Sequence, residues 1–327
     1  MLVFIIRRLL GMFAVLIAVS ILVFIIFILI PGGDPAERMA GKNPTQQNII
    51  NIREKWGFNR PFYIQYLRMM QKAGTGLIPG RHGQYDVLRS FQNRTDVVDQ
   101  IVRGIPITFS LAIGAAVIWL FFGILVGFIA AVTAGRWSDR LITTLALIGI
   151  SMPVFFLGIV VRYYLTEKPA HALFPDGGYY PLTKDPIQWA YHLILPWLVL
   201  AVLFIGFYAR VLRSNMLDVM NEDYVRTARA KGLGPKIVMQ RHVLRNSLIP
   251  IVTLFGLDFA AVIGGAAILT ETVFELHGVG WYAAQSVGDL DLPPIMGVTL
   301  YGAFFIVLFS AVIDIIYAYL DPRIRPT

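Results

Sequence analysis

The sequence predicts an all-α membrane protein with six transmembrane helices. Three observations support this prediction: the 327 residues are 57% hydrophobic, only 15% are charged, and the mean hydropathy is +0.66. A soluble domain carries about 25% charged residues, so the apolar excess indicates a chain that faces lipid. The net charge of +8 is typical of the Lys and Arg that membrane proteins keep on the cytoplasmic side, and we expect no nucleic-acid partner.

Six apolar runs are candidates to cross a bilayer, whose core takes roughly 20 helical residues. They are 9–30, 105–132, 141–161, 193–208, 249–270 and 295–320. The fourth run is short and needs its polar flanks, such as Tyr191 and His192, to cross. The first run is too long for a signal-peptide core and no small-residue cleavage site follows it, so we interpret it as a retained span. Pro153 in the third span and Pro196 in the fourth would kink these helices, either as hinges or as fixed bends.

The distribution of Lys and Arg predicts that the N- and C-termini are both cytoplasmic, because the short inner segments carry far more of these cations than the short outer loops. The predicted regions are an N-terminal segment with the first transmembrane helix at 1–30, an extracytoplasmic loop at 31–104, a five-helix core at 105–320 and a cytoplasmic tail at 321–327. The core includes a cytoplasmic loop at 213–248.

The large extracytoplasmic loop after the first helix is too long for a plain connector. Within it, 48–70 shows helical apolar spacing in two pieces that break before Pro61, which predicts an amphipathic helix pair. This pair either packs over the ends of the spans or docks an outer partner.

The cytoplasmic loop contains NEDYVRTARAKGLGPK, which predicts helix, turn, helix. Asn221 is a good N-cap, the run from Gly232 to Pro235 is a stop signal, and Pro235 is a favoured first residue for the next helix. The small residues Thr227, Ala228 and Ala230 would let another surface approach closely. A basic helix lying on lipid needs a broad apolar face, which this segment lacks, so we favour a protein partner.

Two stretches of this loop, DYVRTARAKGL and HVLRNSLIPIVT, resemble the permease subunits of ABC-type dipeptide and oligopeptide importers. In the general importer pattern, 226–228 hold the Glu-Ala-Ala positions, Gly232 holds the Gly, and 242–245 follow nine residues later. The departures at Arg226, His242 and Arg245 are similar to the peptide subgroup. RRLL, PGGDP, SMPVFFLGI, ILTETVF, HGVG and LDPRIR also agree, whereas 85–88 departs from the group's Gly-Asp-Leu-Gly.

This resemblance implies the type I ABC importer permease fold and a multi-pass protein of the bacterial cytoplasmic (inner) membrane. It implies as partners a second homologous permease, two ATP-binding subunits that use ATP and Mg, an extracytoplasmic peptide-binding protein and membrane lipid. It implies peptide cargo, although close relatives carry nickel complexes or glutathione. The implied ATPase-coupling helix comprises Tyr224, Val225, Arg226, Thr227, Ala228, Arg229, Ala230, Lys231, Gly232 and Leu233.

The residues themselves offer no catalytic, cofactor or metal site, because the chain has no cysteine, no phosphate-binding Gly-x4-Gly-Lys-Ser/Thr loop, no metal-spaced histidines and no Gly-x-Ser-x-Gly elbow. We therefore expect a transport subunit and no enzyme. A secondary transporter driven by an ion gradient is the alternative from another class. It would be supported by an inverted repeat, which we do not find.

Three acids at or near membrane depth are candidates for the pathway or for helix packing, because a charge there is costly. Asp258 either lines the pathway or makes a structural hydrogen bond, and the small residues around it indicate close helix packing at a subunit seam. Asp314 would pair with Arg323 or a loop cation. Glu271 would contact the binding protein or cap the fifth span.

Overall fold

The structure is a computed structural model that describes residues 2–29, 36–37, 45–75, 88–167 and 173–320. The PGGDP segment at 31–35, most of the turn at 85–88 and the tail at 321–327 lie outside the described residues. Within the described ranges the regular structure is helical, apart from one antiparallel bridge between Arg89 and Asp96.

We number the helices in chain order. They are α1 (Leu2–Phe24), α2 (Gln46–Trp56), α3 (Phe62–Thr75), α4 (Val97–Val132), α5 (Trp137–Ser151), α6 (Val154–Arg162), α7 (Pro186–Val219), α8 (Asp223–Ala230), α9 (Pro235–Ile237), α10 (Ile249–Ala261), α11 (Ile268–Val273), α12 (Val279–Gly288) and α13 (Leu292–Leu320). Helices α1, α6 and α10 continue into π-helical turns at Ile25–Leu29, Tyr163–Glu167 and Val262–Ala266. Helix α9 continues through the π-helical segment Val238–Leu244 and the short helix Arg245–Ser247.

Five of these helices are long and apolar enough to cross a membrane: α1, α4, α7, α10 and α13. Taken together, α5 and α6 are also long and apolar enough to cross a membrane, with a bend of 93° between them. Counted as one broken span, the pair brings the number of spans to the predicted six.

The break in the third span lies at Pro153. Met152 adopts an extended conformation (φ −79°, ψ 125°), which ends α5, and α6 begins directly after the proline. A residue before proline is pushed out of the helical region by the proline ring, so the sequence itself causes the bend. The predicted kink at Pro153 is confirmed, whereas Pro196 lies inside the uninterrupted helix α7.

The chain divides into two compact units. The first contains Met1–Phe109, Ala260–Thr272 and Leu276–Thr327, and the second contains Ser110–Phe259 and Val273–Glu275. In the first unit α1 and α12 pack on α13, and in the second α5 packs on α7. The core of the second unit is centred on fully buried Leu111, Trp119 and Leu212.

The small residues that follow Asp258 pack closely, as predicted. A Cβ atom at Gly302 of α13 would lie 2.3 Å from the carbonyl oxygen of Gly264, so only glycine fits at this crossing. Both glycines belong to the first unit, and the close packing observed is between the fifth and sixth spans of the same chain. The predicted subunit seam stays a prediction.

The two helices of the long loop also form as predicted, with the break before Pro61. Thr45 caps α2 by accepting a hydrogen bond from the backbone N–H of Asn48. Helix α3 is anchored by buried Met69 and by Lys72, whose Nζ lies 2.5 Å from Asp96.

Candidate functional site

The loop between α7 and α10 contains α8, which the sequence marks as the functional element. The helix begins at Asp223, with Glu222 in the N-cap position and no side-chain cap. The prediction that Asn221 is the N-cap is wrong. The side-chain nitrogen of Asn221 instead donates a hydrogen bond to the carbonyl of Leu217 in the preceding helix. Asn221 lies in the turn between α7 and α8, one residue before the N-cap position. Its side chain is bonded to α7 and does not cap α8.

The stop signal after α8 is confirmed. The helix ends at Ala230, and Gly232 takes a left-handed conformation with φ of +80°. Such a backbone is the usual way to end a helix, because glycine has no Cβ to clash. Pro235 then occupies the first turn of α9, as predicted.

One face of α8 is turned inward and holds the helix on its own chain. Val225 is fully buried and Ala228 is 5% exposed, and both belong to a helix that packs against the π-helical segment Val238–Leu244. The side-chain nitrogen of Asn246 donates to the hydroxyl of Tyr224 over 2.9 Å. Our prediction that Ala228 is available to another surface is therefore wrong, because a 3.6-residue period places it on the same side as Val225.

The opposite face of α8 and the following turn are exposed. Arg226 makes one ion pair, at 3.5 Å, with the fully exposed Asp223. A pair this open to solvent contributes little stability, so it leaves the cation available to a partner. The exposed residues of the predicted coupling segment are Tyr224, Arg226, Thr227, Arg229, Ala230, Lys231, Gly232 and Leu233.

Just before this loop, α7 is tied to the first turn of α5 by an ion pair that the sequence did not predict. Asp139 is 4% exposed and accepts hydrogen bonds from Nε and Nη2 of Arg213 at 2.6 and 2.7 Å. It also accepts from the backbone N–H of Gly135 at 2.8 Å. A lone acid beside Arg136 and Arg140 was the available signal, but the sequence does not say which cation it pairs with.

Asp258 makes a hydrogen bond to a neighbouring helix. The hydroxyl of Tyr208, a fully buried residue of α7, donates to Oδ2 of Asp258 over 2.7 Å. This is the structural alternative that the sequence left open. The bond supplies the carboxylate with a donor at a depth where an unpaired charge would be costly.

Asp314 pairs with Arg8 of α1. Arg323, one of the partners predicted for it, lies outside the described residues. The other prediction, a loop cation, is wrong, because the cation comes from the first span, which packs along α13.

Glu271 caps α12, and both predictions for it are wrong. Its carboxylate is fully buried, so it cannot contact a binding protein, and it accepts from the hydroxyl of Thr108 at 2.7 Å and from the backbone N–H of Trp281 at 2.9 Å. The Thr108 oxygen in turn accepts from the N–H of Val279 at 3.0 Å. Thr108 and Glu271 therefore satisfy free N–H groups of the first turn of α12.

Burial also raises the pKa of Glu271 above the ordinary glutamate range. The hydrogen bonds from Thr108, Trp281 and Gly280 act in the opposite direction, because they stabilise the charged form. No cluster of three or more His, Asp or Glu with metal-binding geometry occurs among the described residues.

The fold and this exposed helix define a multi-span membrane protein with a short basic helix in the loop before its fifth span. The comparisons with known proteins then identify the family. Residues 123–326 match the family described as "Binding-protein-dependent transport system inner membrane component", and residues 1–112 match its N-terminal counterpart. The chain belongs to this family: it is a multi-pass inner-membrane permease whose relatives are transport subunits without ATPase activity, and the family works with ATPase subunits and a binding protein.

Individual relatives are similar along their whole length. The probable peptide ABC transporter permease protein y4tP of Sinorhizobium fredii is 36% identical over 99% of both chains. The glutathione transport system permease protein GsiC of Salmonella paratyphi A is also 36% identical over 99% of both chains. Among solved structures, an inward-facing MetNI methionine ABC transporter has a TM-score of 0.53, is 18% identical, and covers 68% of this chain and 96% of its own, which shows the shared fold alone.

Proposed function

We propose that this chain is the permease subunit of an ATP-driven peptide importer and that α8, with the turn to Leu233, is the element that an ATPase subunit grips. In this proposal both termini and α8 are cytoplasmic, and a second homologous permease completes the pathway. Two ATP-binding subunits bind ATP and Mg, whereas this chain binds neither. An extracytoplasmic peptide-binding protein delivers the cargo.

The observation that supports this role most directly is the two-sided construction of α8. A helix of eight residues is marginal by itself in water, so it needs support from packing. Val225, Ala228 and the bond from Asn246 to Tyr224 supply that support from within the chain. The remaining face, with Arg226 and Arg229, and Lys231 in the turn that follows, is exposed and therefore available to a partner.

Peptide cargo is favoured by the relatives, whose names refer mainly to peptides or dipeptides. The glutathione permease, at 36% identity, makes glutathione the second candidate, and glutathione is itself a small peptide. A nickel complex is a further candidate, and only the resemblance of the sequence to peptide-importer permeases supports it. Binding of each cargo to the cognate external binding protein would separate these candidates.

The coupling role is tested by reversing one exposed charge. In the complex with its ATPase subunits, Arg229→Glu should lower peptide uptake and cargo-stimulated ATP hydrolysis several-fold. The reason is that glutamate at this position cannot pair with an acidic side chain of the ATPase subunit. Lys184→Glu is the matched control, since Lys184 is an exposed cation in the turn before α7. The control should keep both activities.

Two results would overturn this proposal. One is full uptake and full ATPase stimulation by Arg229→Glu in a complex that assembles normally. The other is uptake that persists without any ATPase subunit and follows an ion gradient, which would support a secondary transporter that uses Asp258 and Asp314.

A further inference from the structure

The first unit contains an apolar cavity. Its volume is about 360 Å³, within the range of small-ligand sites. Four helices contribute to its wall: Leu16 from α1, Met70 and Gly74 from α3, Ile101 from α4, and Leu300 from α13.

The wall is almost entirely apolar, and only Ser20 and Tyr301 among its lining side chains carry a polar atom. Of the two side chains that carry a hydroxyl, Ser20 is already engaged, since it donates to the carbonyl of Ile17 and shares a hydrogen bond with Tyr66 at 2.8 Å. The hydroxyl of Tyr301 is buried and has no hydrogen-bond partner among the described residues, so it is the one side-chain polar atom of the wall that is not already satisfied. A polar or charged ligand would lose its hydrogen bonds with water on entering, whereas an aliphatic chain would lose none.

The rim of the cavity is apolar and belongs to membrane spans. Val102 of α4 is 38% exposed and Phe304 of α13 is 43% exposed, and both line the cavity. These two helices have the length and hydropathy to cross a bilayer. A void open to hydrocarbon loses dispersion contacts unless a lipid tail enters it.

Helix α3 extends the apolar surface away from the cavity. Tyr63 and Leu67 are 56% and 61% exposed, and they lie at helical spacing from the cavity residues Met70 and Gly74. An exposed stripe with aromatic residues is typical of a helix that lies in the membrane interface. The cavity therefore lies beside a surface suited to the headgroup boundary, where the tails of phospholipids begin.

We propose that this cavity is a binding site for one acyl chain of a membrane phospholipid, held between α1, α3, α4 and α13. Occupation would fill the space between the first and sixth spans and the helix of the long loop. The site favours the tail over the headgroup, because all of its lining side chains except Ser20 and Tyr301 are apolar.

The substitution Gly74→Leu should close the site. Gly74 is helical, and a Cβ atom there meets nothing within 4 Å, so a larger side chain enters the open space without a clash. Gly11→Leu is the matched control: Gly11 lies in α1, its Cβ atom also meets nothing within 4 Å, and it is not part of the wall. Ala73→Leu is a second filling variant, should Gly74→Leu fail to fold.

The probe is a phosphatidylcholine with a diazirine in its acyl chain, added to phosphatidylcholine vesicles that hold the complete transporter. After irradiation, peptides with Met70 and Leu300 should carry adducts, and the filling variants should reduce these adducts several-fold. Adducts near Val117, an exposed residue of α4 that is not part of the wall, should be unchanged in all variants.

Two outcomes would overturn the proposal: Val117 labelled while the cavity peptides are not, or cavity peptides labelled equally in wild type and in the filling variants. The first would also follow if the second permease covered the cavity in the assembly. Because the test needs no transport activity, its failure does not bear on the coupling role.

Discussion

Arg213 donates two hydrogen bonds, from Nε at 2.6 Å and from Nη2 at 2.7 Å, to the two carboxylate oxygens of Asp139. The carboxylate is buried, and the pair joins the start of the third span to the part of α7 that leads into the loop with α8. A two-point contact of this kind fixes the relative orientation of the two helices, because the planar guanidinium matches the carboxylate. In the coupling role that we propose for α8, this pair would connect its motion to both spans.

We expect Arg213→Lys to lower the free energy of unfolding by about 1–2 kcal/mol, because lysine cannot form the two-point contact. Arg213→Ala should cost more, since it leaves a buried carboxylate without its cation. Thermal unfolding in detergent measures both, with Arg210→Lys, an exposed cation of the same helix, as the control. A double-mutant cycle with Asp139→Asn that shows no coupling energy would contradict this assignment.

The turn after α8 depends on the backbone of Gly232. Gly232→Ala should destabilise the turn by about 1 kcal/mol, because a Cβ atom disfavours the observed φ of +80°. No atom lies within 4 Å of the Cβ position, so the cost is conformational and not steric. Gly234→Ala is the matched control, with φ of −59° and equally open space.

Hydrogen exchange of the amides of α8 would measure that difference. We expect faster exchange and reduced ATPase stimulation for Gly232→Ala alone. Equal behaviour of the two variants would show that the left-handed residue has no part in holding α8.

The two alanines of α8 should respond differently to the same substitution. Ala228→Leu inserts a larger side chain into a packed contact, which costs about 1–3 kcal/mol. Ala230→Leu places it on the exposed face, so the permease should keep its stability while binding to the ATPase subunit weakens. Thermal unfolding of the permease and co-purification with the ATPase separate the two effects. A stable Ala228→Leu variant would show that the inward face of α8 is not tightly packed against its own chain.

Glu271 should make stability depend on pH. Because burial raises its pKa in the folded chain, the folded state holds this proton more tightly than the unfolded state. Its contribution is therefore fully present below the ordinary glutamate pKa and is lost as pH rises through the raised value. The stability of wild type relative to Glu271→Gln should fall across that window and then level off.

Unfolding of both proteins as a function of pH in one detergent gives this difference directly. A difference that increases with pH would mean that the hydrogen bonds from Thr108, Gly280 and Trp281 outweigh burial. Thr108→Val should weaken the same cap and expose α12 to faster hydrogen exchange, because it removes the acceptor for the N–H of Val279.

Much of the fold was predictable because its causes are local. Each span is a run of apolar residues, and hydrocarbon selects for helix wherever such a run is long enough. The bend in the third span follows from the ring of Pro153, and the end of α8 follows from glycine at 232. These features can be predicted without knowing which residues of other helices pack against them.

The identity of each buried polar partner was not predictable in this way. The sequence placed Asp258, Glu271 and Asp314 near membrane depth, but their donors come from residues 50, 163 and 306 positions away: Tyr208, Thr108 and Arg8. The sequence likewise places small residues on α8, but it does not show that Ala228 faces inward. Hydropathy and backbone stereochemistry alone thus determined the six spans, the bend and the turn. Only tertiary packing decided which face of α8 is free and which cation or hydroxyl meets each acid, because a buried charge is satisfied by whatever donor the folded helices bring within reach.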